Sequence, residues 1–117
     1  MIVPAQAVRV VIATRPVDFR RGHAALAATV QNELGLDPNS GLTVVFRSKR
    51  LDRVKILVWD GTGLVLLYKR LDAGAFVWPQ VKDGVMRLTR AQFEALFDGL
   101  DWRRVTPRRV RAPAAAD

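Results

Sequence analysis

Short apolar runs rich in β-branched residues alternate with turn residues over much of the chain, a pattern typical of several short strands. Two of these runs flank the residues Asp60, Gly61, Thr62 and Gly63. An Asp-Gly pair between two such runs predicts a β-hairpin. The predicted strands are 8–12, 42–46, 54–59, 64–69 and 84–88. Because most of them follow one another through short turns, we expect an antiparallel sheet.

Apolar residues recur at helical spacing in two further segments. In the first, Asp18 would cap the helix and Gly35 would end it. Its apolar positions are Phe19, His23, Leu26, Ala27, Val30 and Leu34. In the second, Thr89 and Gln92 have the spacing of a capping box. The predicted fold class is α+β, with a small antiparallel sheet of about five strands and two helices packed on one of its faces.

The net charge adds a functional expectation to this fold. The chain has 117 residues, with 19 Lys and Arg against 11 Asp and Glu, for a formal charge of +8. Such an excess suggests an anionic partner, with nucleic acid first. Residues 103–117 contain five Arg and one Asp, so they hold +4 of that charge. We expect one domain over residues 1–104 and a basic, disordered tail over 105–117.

Several classes of chemistry are absent from the sequence. The chain has no Cys and one His, which excludes disulfides, thiol catalysis, and zinc sites built on Cys or several His. No basic segment precedes an apolar one at the N-terminus, and no apolar run approaches the ~20 residues that span a bilayer. We therefore expect a cytoplasmic protein with no membrane association, metal or cofactor.

Candidate catalytic residues are few. Asp52 and Asp60 bracket one predicted strand, and Asp98 and Asp101 lie near a helix end, but their spacing matches no known metal or acid–base arrangement. His23 has no partner that the sequence places beside it. A nuclease using some of these carboxylates is the least favoured reading, and we expect that the protein is not an enzyme.

Clustered basic residues are the strongest functional signal. Several surround the loop before the predicted hairpin, and others lie at the first helix and in the tail. The candidates for contact with nucleic acid are Arg20, Arg21, Arg47, Lys49, Arg50, Arg53, Lys55, Lys69, Arg70, Arg103, Arg104, Arg108 and Arg109. Tyr68 or a Trp nearby could stack on bases. An ordinary solvated surface is the alternative interpretation.

Two tryptophans are candidates for a partner surface. Trp78 precedes a proline, and Trp102 follows the second predicted helix. Packing over the sheet edge is the alternative for both, and it is favoured on general grounds because large aromatic side chains are usually buried.

An ordered set of short strings extends through the chain. These are Asp18-Phe19-Arg20-Arg21-Gly22, Val45-Phe46-Arg47-Ser48-Lys49-Arg50, Asp52 to Gly63, Lys69-Arg70-Leu71, Phe76-Val77-Trp78-Pro79, Leu88-Thr89 and Gly99-Leu100-Asp101-Trp102. Together they resemble the TnpB accessory proteins (Orf-two-like) of bacterial insertion sequences of family sixty-six, over about residues 8–104.

The resemblance implies a non-enzymatic, cytoplasmic bacterial protein that assists DNA transposition beside a separate, larger transposase. It supplies no catalytic residue and no molecular mechanism. Two hypotheses remain. In the first, the protein contacts DNA, the transposase, or both. In the second, it is a protein-interaction module that docks only on the transposase and does not bind DNA directly.

Overall fold

A computed structural model describes residues 9–81 and 84–106. Its elements, in chain order, are β1 (Val10–Ala13), α1 (His23–Asn32), β2 (Thr43–Arg47), β3 (Arg53–Trp59), β4 (Leu64–Arg70), β5 (Val85–Leu88), α2 (Arg90–Phe97) and a 3-10 turn (Trp102–Arg104). The strands form a single five-stranded sheet in the order β4-β3-β2-β1-β5. The α+β class, the two helices and the five strands are thus confirmed.

The sheet is mixed rather than wholly antiparallel. β1 and β2 run parallel, while the pairs β2–β3, β3–β4 and β1–β5 are antiparallel. The parallel pair follows from the connection between β1 and β2, which contains α1 and returns the chain to the end where β1 began. The hairpin predicted at Asp60 joins β3 to β4, with Trp59 opposite Leu64.

The two helices cover opposite faces of the sheet, so our expectation that both pack on one face was wrong. Val54 and Ile56 of β3 lie in one buried cluster with Phe93 of α2. Leu57 lies in the other cluster, with Leu26 of α1. The reason is visible in the sequence, because β1 and β2 are almost continuously apolar, which is typical of strands that are buried on both faces.

The predicted start of α2 is confirmed, whereas the predicted start of α1 is wrong. The capping box of α2 is present, with the Gln92 N–H donating to Thr89 Oγ1 at 3.1 Å and the Thr89 N–H donating to Gln92 Oε1 at 2.9 Å. α1, however, begins at His23 rather than near Phe19, and its N-cap is Gly22. Asp18 does not cap it. The Asp18 carboxylate instead accepts from the backbone N–H of Arg20 at 2.9 Å.

Trp78 and Trp102 both belong to the core. The two residues are only 8% and 5% exposed. The indole N–H of Trp78 donates to the Ala13 carbonyl at 2.9 Å, and that of Trp102 donates to the Val77 carbonyl at 2.8 Å. Because each ring is covered and its polar atom is bonded internally, neither provides the partner surface that we expected. Packing, the alternative interpretation, describes both.

Candidate nucleic-acid interface

A tight turn between β2 and β3 presents two cations at its tip. The Leu51 N–H donates to the Ser48 carbonyl at 3.4 Å, and Lys49 and Arg50 lie exposed between these two residues. Leu51 has φ 61°, a left-handed conformation that is uncommon for Leu. The Leu51 carbonyl accepts from the Phe76 N–H at 2.7 Å, which helps to hold this conformation. The turn is therefore fixed by its surroundings despite a strain of roughly 1 kcal/mol or more.

Two more cations face each other where the strands beside this turn meet. In the register of β3 and β4, Arg53 lies directly opposite Arg70. Like charges at directly opposed strand positions are destabilising. Asp52 offsets part of this repulsion, with an oxygen 3.6 Å from Arg53 Nε. A bound anion would offset the rest.

We call Lys49, Arg50, Arg53 and Arg70 the basic cluster. No hydrogen bond or ion pair holds the side chains of Lys49, Arg50 or Arg70 to another residue in the described part of the chain. Arg53 approaches Tyr68, with Nη1 3.4 Å from the phenol oxygen, in addition to its contact with Asp52. Most of the cluster's hydrogen-bonding capacity is thus directed to solvent.

A groove of about 570 Å³ lies against the basic cluster. Its lining residues are Pro16, Val17, Asp18, Phe19, Ser48, Lys49, Arg50 and Arg53. Phe19 contacts Tyr68 edge-to-face, with 5.6 Å between ring centroids, and Tyr68 is 51% exposed. Aromatic faces beside cations provide the two components by which nucleic acids are bound without sequence preference.

Buried polar atoms without partners are concentrated at the same turn. Five buried side-chain N or O atoms in the described residues have no hydrogen-bond partner, and four of them belong to Arg47, Ser48, Asp52 and Arg53. An unpaired buried polar group costs free energy, so such groups are rare and call for an explanation. Asp52 Oδ1 and Arg53 Nε lie 3.6 Å apart as an ion pair, which leaves Arg47 Nε and Ser48 Oγ for a ligand or ordered solvent to satisfy.

Two of the lysines predicted to contact nucleic acid, Lys55 and Lys69, instead form hydrogen bonds within the protein. Lys55 is buried, and its Nζ donates to the carbonyls of Phe19 at 2.7 Å and Arg21 at 2.9 Å. Lys69 Nζ donates to the Phe97 carbonyl and lies 4.2 Å from the centroid of that ring. These ammonium groups join a loop and the end of α2 to the sheet, so we no longer assign them to the interface.

Arg20 and Arg21 are exposed or half-buried but have partners. Arg20 Nη2 lies 2.6 Å from Asp18 Oδ2, and this side-chain hydrogen bond is the main cause that lowers the Asp18 pKa from 3.8 to about 2. Arg21 Nη1 donates to Thr29 Oγ1 at 2.8 Å and lies 3.8 Å from Glu33. Since Asp18 lines the groove, Arg20 lies at its rim, whereas Arg21 is bonded to α1.

Among the described residues, no contact brings the other basic candidates, Arg47, Arg103 and Arg104, into the basic cluster. Arg47 is half-buried, and its Nη1 approaches the Ser48 carbonyl at 3.4 Å. Arg103 Nε donates to Asp101 Oδ1 at 2.9 Å, and Arg104 Nε lies 3.9 Å from the same carboxylate. Arg108 and Arg109, with all of residues 107–117, lie outside the described residues, so the predicted tail stays a prediction.

The carboxylates have local structural roles. Asp60 Oδ1 accepts from the backbone N–H groups of Thr62 at 2.9 Å and Gly63 at 3.0 Å, and these hydrogen bonds lower the pKa of Asp60.

Over residues 9–81 and 84–106, no group of three or more His, Asp or Glu side chains is placed to hold a metal ion. Nor does any helix in those ranges have the length and apolar character to cross a membrane.

Comparison with known proteins decides the family. The family model described as "IS66 Orf2 like protein" matches residues 8–107. The chain belongs to the IS66 Orf2-like family. The resemblance inferred from the ordered strings is thereby confirmed, and membership implies an accessory role in the transposition of insertion sequences.

Two relatives from Sinorhizobium fredii match nearly the whole of this IS66 Orf2-like chain. The protein y4jC is 45% identical over 113 residues, covering 97% of each chain. The protein y4hO is 43% identical over 103 residues, covering 88% of this chain and 90% of its own. Both are described as uncharacterized, so they assign no residue a role. No solved structure matches the chain significantly.

Proposed function

We propose that this IS66 Orf2-like protein is a non-enzymatic accessory factor, acting in the bacterial cytoplasm, that binds the phosphate backbone of DNA during transposition. The observation that carries the proposal is the convergence of Lys49, Arg50 and Arg53 on one groove, with Arg70 directly opposite Arg53 in the sheet. Three of these four cations have no partner among the described residues. Cations that neutralise phosphates release counterions from DNA, which is the main source of sequence-independent affinity.

Binding through phosphates rather than base edges is supported by the surfaces of the two helices. A recognition helix reads bases with several polar or basic side chains aligned in the major groove. α1 contains no Asp, Glu, Lys or Arg, and α2 is only eight residues long. We therefore expect similar affinities for the ends of the element and for unrelated duplexes, since phosphate contacts carry little sequence information.

The larger transposase of the same element is a second proposed partner. The hypothesis that the protein docks only on the transposase used the apolar hairpin of β3 and β4 together with a surface at Trp78 or Trp102. Both tryptophans are buried, so that burial weakens this hypothesis relative to DNA contact, although the hairpin surface stays available. A transposase contact, if made, uses another surface of the protein.

Fluorescence anisotropy with labelled duplexes tests the proposal on the full chain. Lys49→Gln/Arg50→Gln removes two charges at the turn, and Arg108→Gln/Arg109→Gln removes two charges from the C-terminal residues as a matched control. We expect the first variant to weaken binding to element-end and unrelated duplexes alike. Loss of binding only in the second variant, or no binding by the wild type at low salt, would contradict a role for the basic cluster.

A further inference from the structure

β4 ends the sheet and has an outer edge that could pair with a further strand. β4 is the end strand of the sheet and has seven residues, whereas β5, at the other end, has four. Within the described residues, no strand pairs with the outer edge of β4. A long strand edge presents N–H and C=O groups that can pair with another chain.

The hydrogen bonds of the hairpin identify which backbone groups point outward. Asp60 pairs with Gly63 at 3.0 Å, and the Leu71 N–H donates to the Asp52 carbonyl at 2.8 Å. In an antiparallel ladder, every second residue bonds to the neighbouring strand. The odd-numbered residues of β4 therefore bond to β3, and the N–H and C=O groups of Leu64, Leu66, Tyr68 and Arg70 point away from the sheet.

We propose that two copies of this chain pair through β4, antiparallel and centred on Leu67, to form one continuous ten-stranded sheet. In this register Leu66 exchanges hydrogen bonds with Tyr68 of the second copy, and Leu64 does so with Arg70. These are the residues whose backbone groups point outward. The register also pairs all seven residues of β4, which shifted antiparallel registers do not.

The side chains of β4 complement a second copy of the same strand. Lys69 would face Val65, and Leu67 would face its own copy, so no cation lies directly opposite a cation. A parallel pairing would place Lys69 and Arg70 beside their own copies, which is unfavourable. Leu64, Leu66 and Leu67 are only half-buried in the single chain, and Tyr68 is 51% exposed, so the pairing would remove further apolar surface from water.

The pairing has a geometric consequence for the basic cluster. A two-fold axis through Leu67 is perpendicular to the sheet, so both Arg53–Arg70 pairs lie on the same face. The two Arg70 residues are six positions apart along the paired strands, or about 20 Å. The net charge of each copy, +8, opposes association, so the dimer should strengthen with added salt, whereas DNA binding should weaken.

Sedimentation velocity of the wild-type chain tests the dimer without DNA. At about 0.3 M salt, where charge repulsion is screened, we expect a species of about 26 kDa, twice the 13.0 kDa of one chain. It should dissociate on dilution, as mass action requires. A monomer at every concentration up to about 200 µM overturns the proposal, and it leaves the proposed DNA binding standing, because neither proposal depends on the other.

Single cysteines test the register, since the chain contains no Cys. In the proposed dimer, Leu67→Cys would face its own copy in a pair whose Cα atoms are about 4.5 Å apart, within reach of a disulfide. Val65→Cys, on the same strand and the same face, would lie about 14 Å from its copy along the strands. We expect oxidation to link the first variant and not the second. Equal linking of both, or a wild-type dimer with no linking of Leu67→Cys, overturns the register.

Amide hydrogen exchange in the wild-type chain provides a measurement that requires no substitution. The outward N–H groups of Leu66 and Tyr68 should exchange slowly in the dimer and rapidly after dilution to the monomer. If Leu67→Cys fails to fold, the exchange rates of Leu66 and Tyr68 in the wild-type chain decide whether the dimer forms through β4. Fast exchange of both groups in a concentrated sample overturns the proposal.

Discussion

The salt dependence of DNA binding provides the sharpest test of the basic cluster. Each phosphate neutralised on duplex DNA contributes about 0.9 to the slope of log K against log salt concentration. Lys49, Arg50, Arg53 and Arg70 therefore predict a contribution of about −3.6 to that slope. Lys55 and Lys69 add nothing, because their ammonium groups are bonded to carbonyls inside the protein.

The double variant Lys49→Gln/Arg50→Gln should reduce the slope by about 1.8, which is two phosphate contacts. Between about 50 and 200 mM salt, the affinity attributable to the cluster would then fall by about 12-fold instead of about 150-fold. Other basic residues change the absolute slope, but they do not change the difference between the two proteins. Fluorescence anisotropy over a salt series measures this difference directly.

A matched control separates local contacts from net charge. Arg87→Gln/Arg90→Gln also lowers the formal charge from +8 to +6, but it removes one cation from β5, at the far edge of the sheet, and one from the first turn of α2. We expect its slope to match the wild type. Equal reductions in both variants, or an unchanged slope in Lys49→Gln/Arg50→Gln, would refute the assignment of binding to this turn.

Four further outcomes are expected. Arg70→Gln should raise the stability of the free protein by up to about 1 kcal/mol in urea unfolding, because it removes the repulsion from Arg53, while weakening DNA binding. Lys55→Met should destabilise the fold by about 2–4 kcal/mol in the same assay, since two charge-assisted hydrogen bonds are lost; a purely DNA-binding role predicts no change. Trp102→Ala should cost about 3–5 kcal/mol by leaving a cavity in the core, and a smaller loss would mean that the ring is not buried as described. By NMR, the pKa of the Asp18 carboxyl should be about 2 rather than 3.8, so its stabilising contribution is complete above pH 3.8 and is lost as pH falls through about 2; an unshifted pKa would contradict the pairing.

Local sequence signals predicted the elements of this fold well but not their arrangement. The capping box at Thr89 and the hairpin at Asp60 depend on side chains bonding to backbone groups two or three residues away, so spacing alone identifies them. The face on which each helix packs depends on contacts distant in sequence. The nearly continuous apolar character of β1 and β2 is typical of strands covered on both faces, which our expectation of both helices on one face did not take into account.

The sequence predicted which region is basic, but it did not predict which of its cations lie together on the surface. Sequence proximity placed Lys49, Arg50 and Arg53 together, yet it also included Lys55, whose ammonium group reaches carbonyls on a loop more than thirty positions away. Alternation along β3 does not by itself separate Arg53 from Lys55, because both lie on the same face. What distinguishes them is the loop containing Phe19, which covers Lys55, and no local spacing predicts that contact.

At the turn between β2 and β3, the chain breaks the usual rules of backbone conformation, hydrogen bonding and charge pairing. The indole N–H groups of Trp78 and Trp102, the capping box and the Asp60 turn are satisfied by hydrogen bonds. The residues from 47 to 53 contain a left-handed Leu51, four buried polar atoms without a hydrogen bond, and one member of a like-charged strand pair. Each of these features lowers stability, and together they occupy one turn at the edge of a groove. Since sequences tend to break local rules where function requires it, this turn is where a ligand would supply the missing interactions. A phosphate bound there would accept hydrogen bonds from donors such as Arg47 Nε and would offset the repulsion between Arg53 and Arg70, so the proposed DNA contact would relieve part of the instability of the free turn.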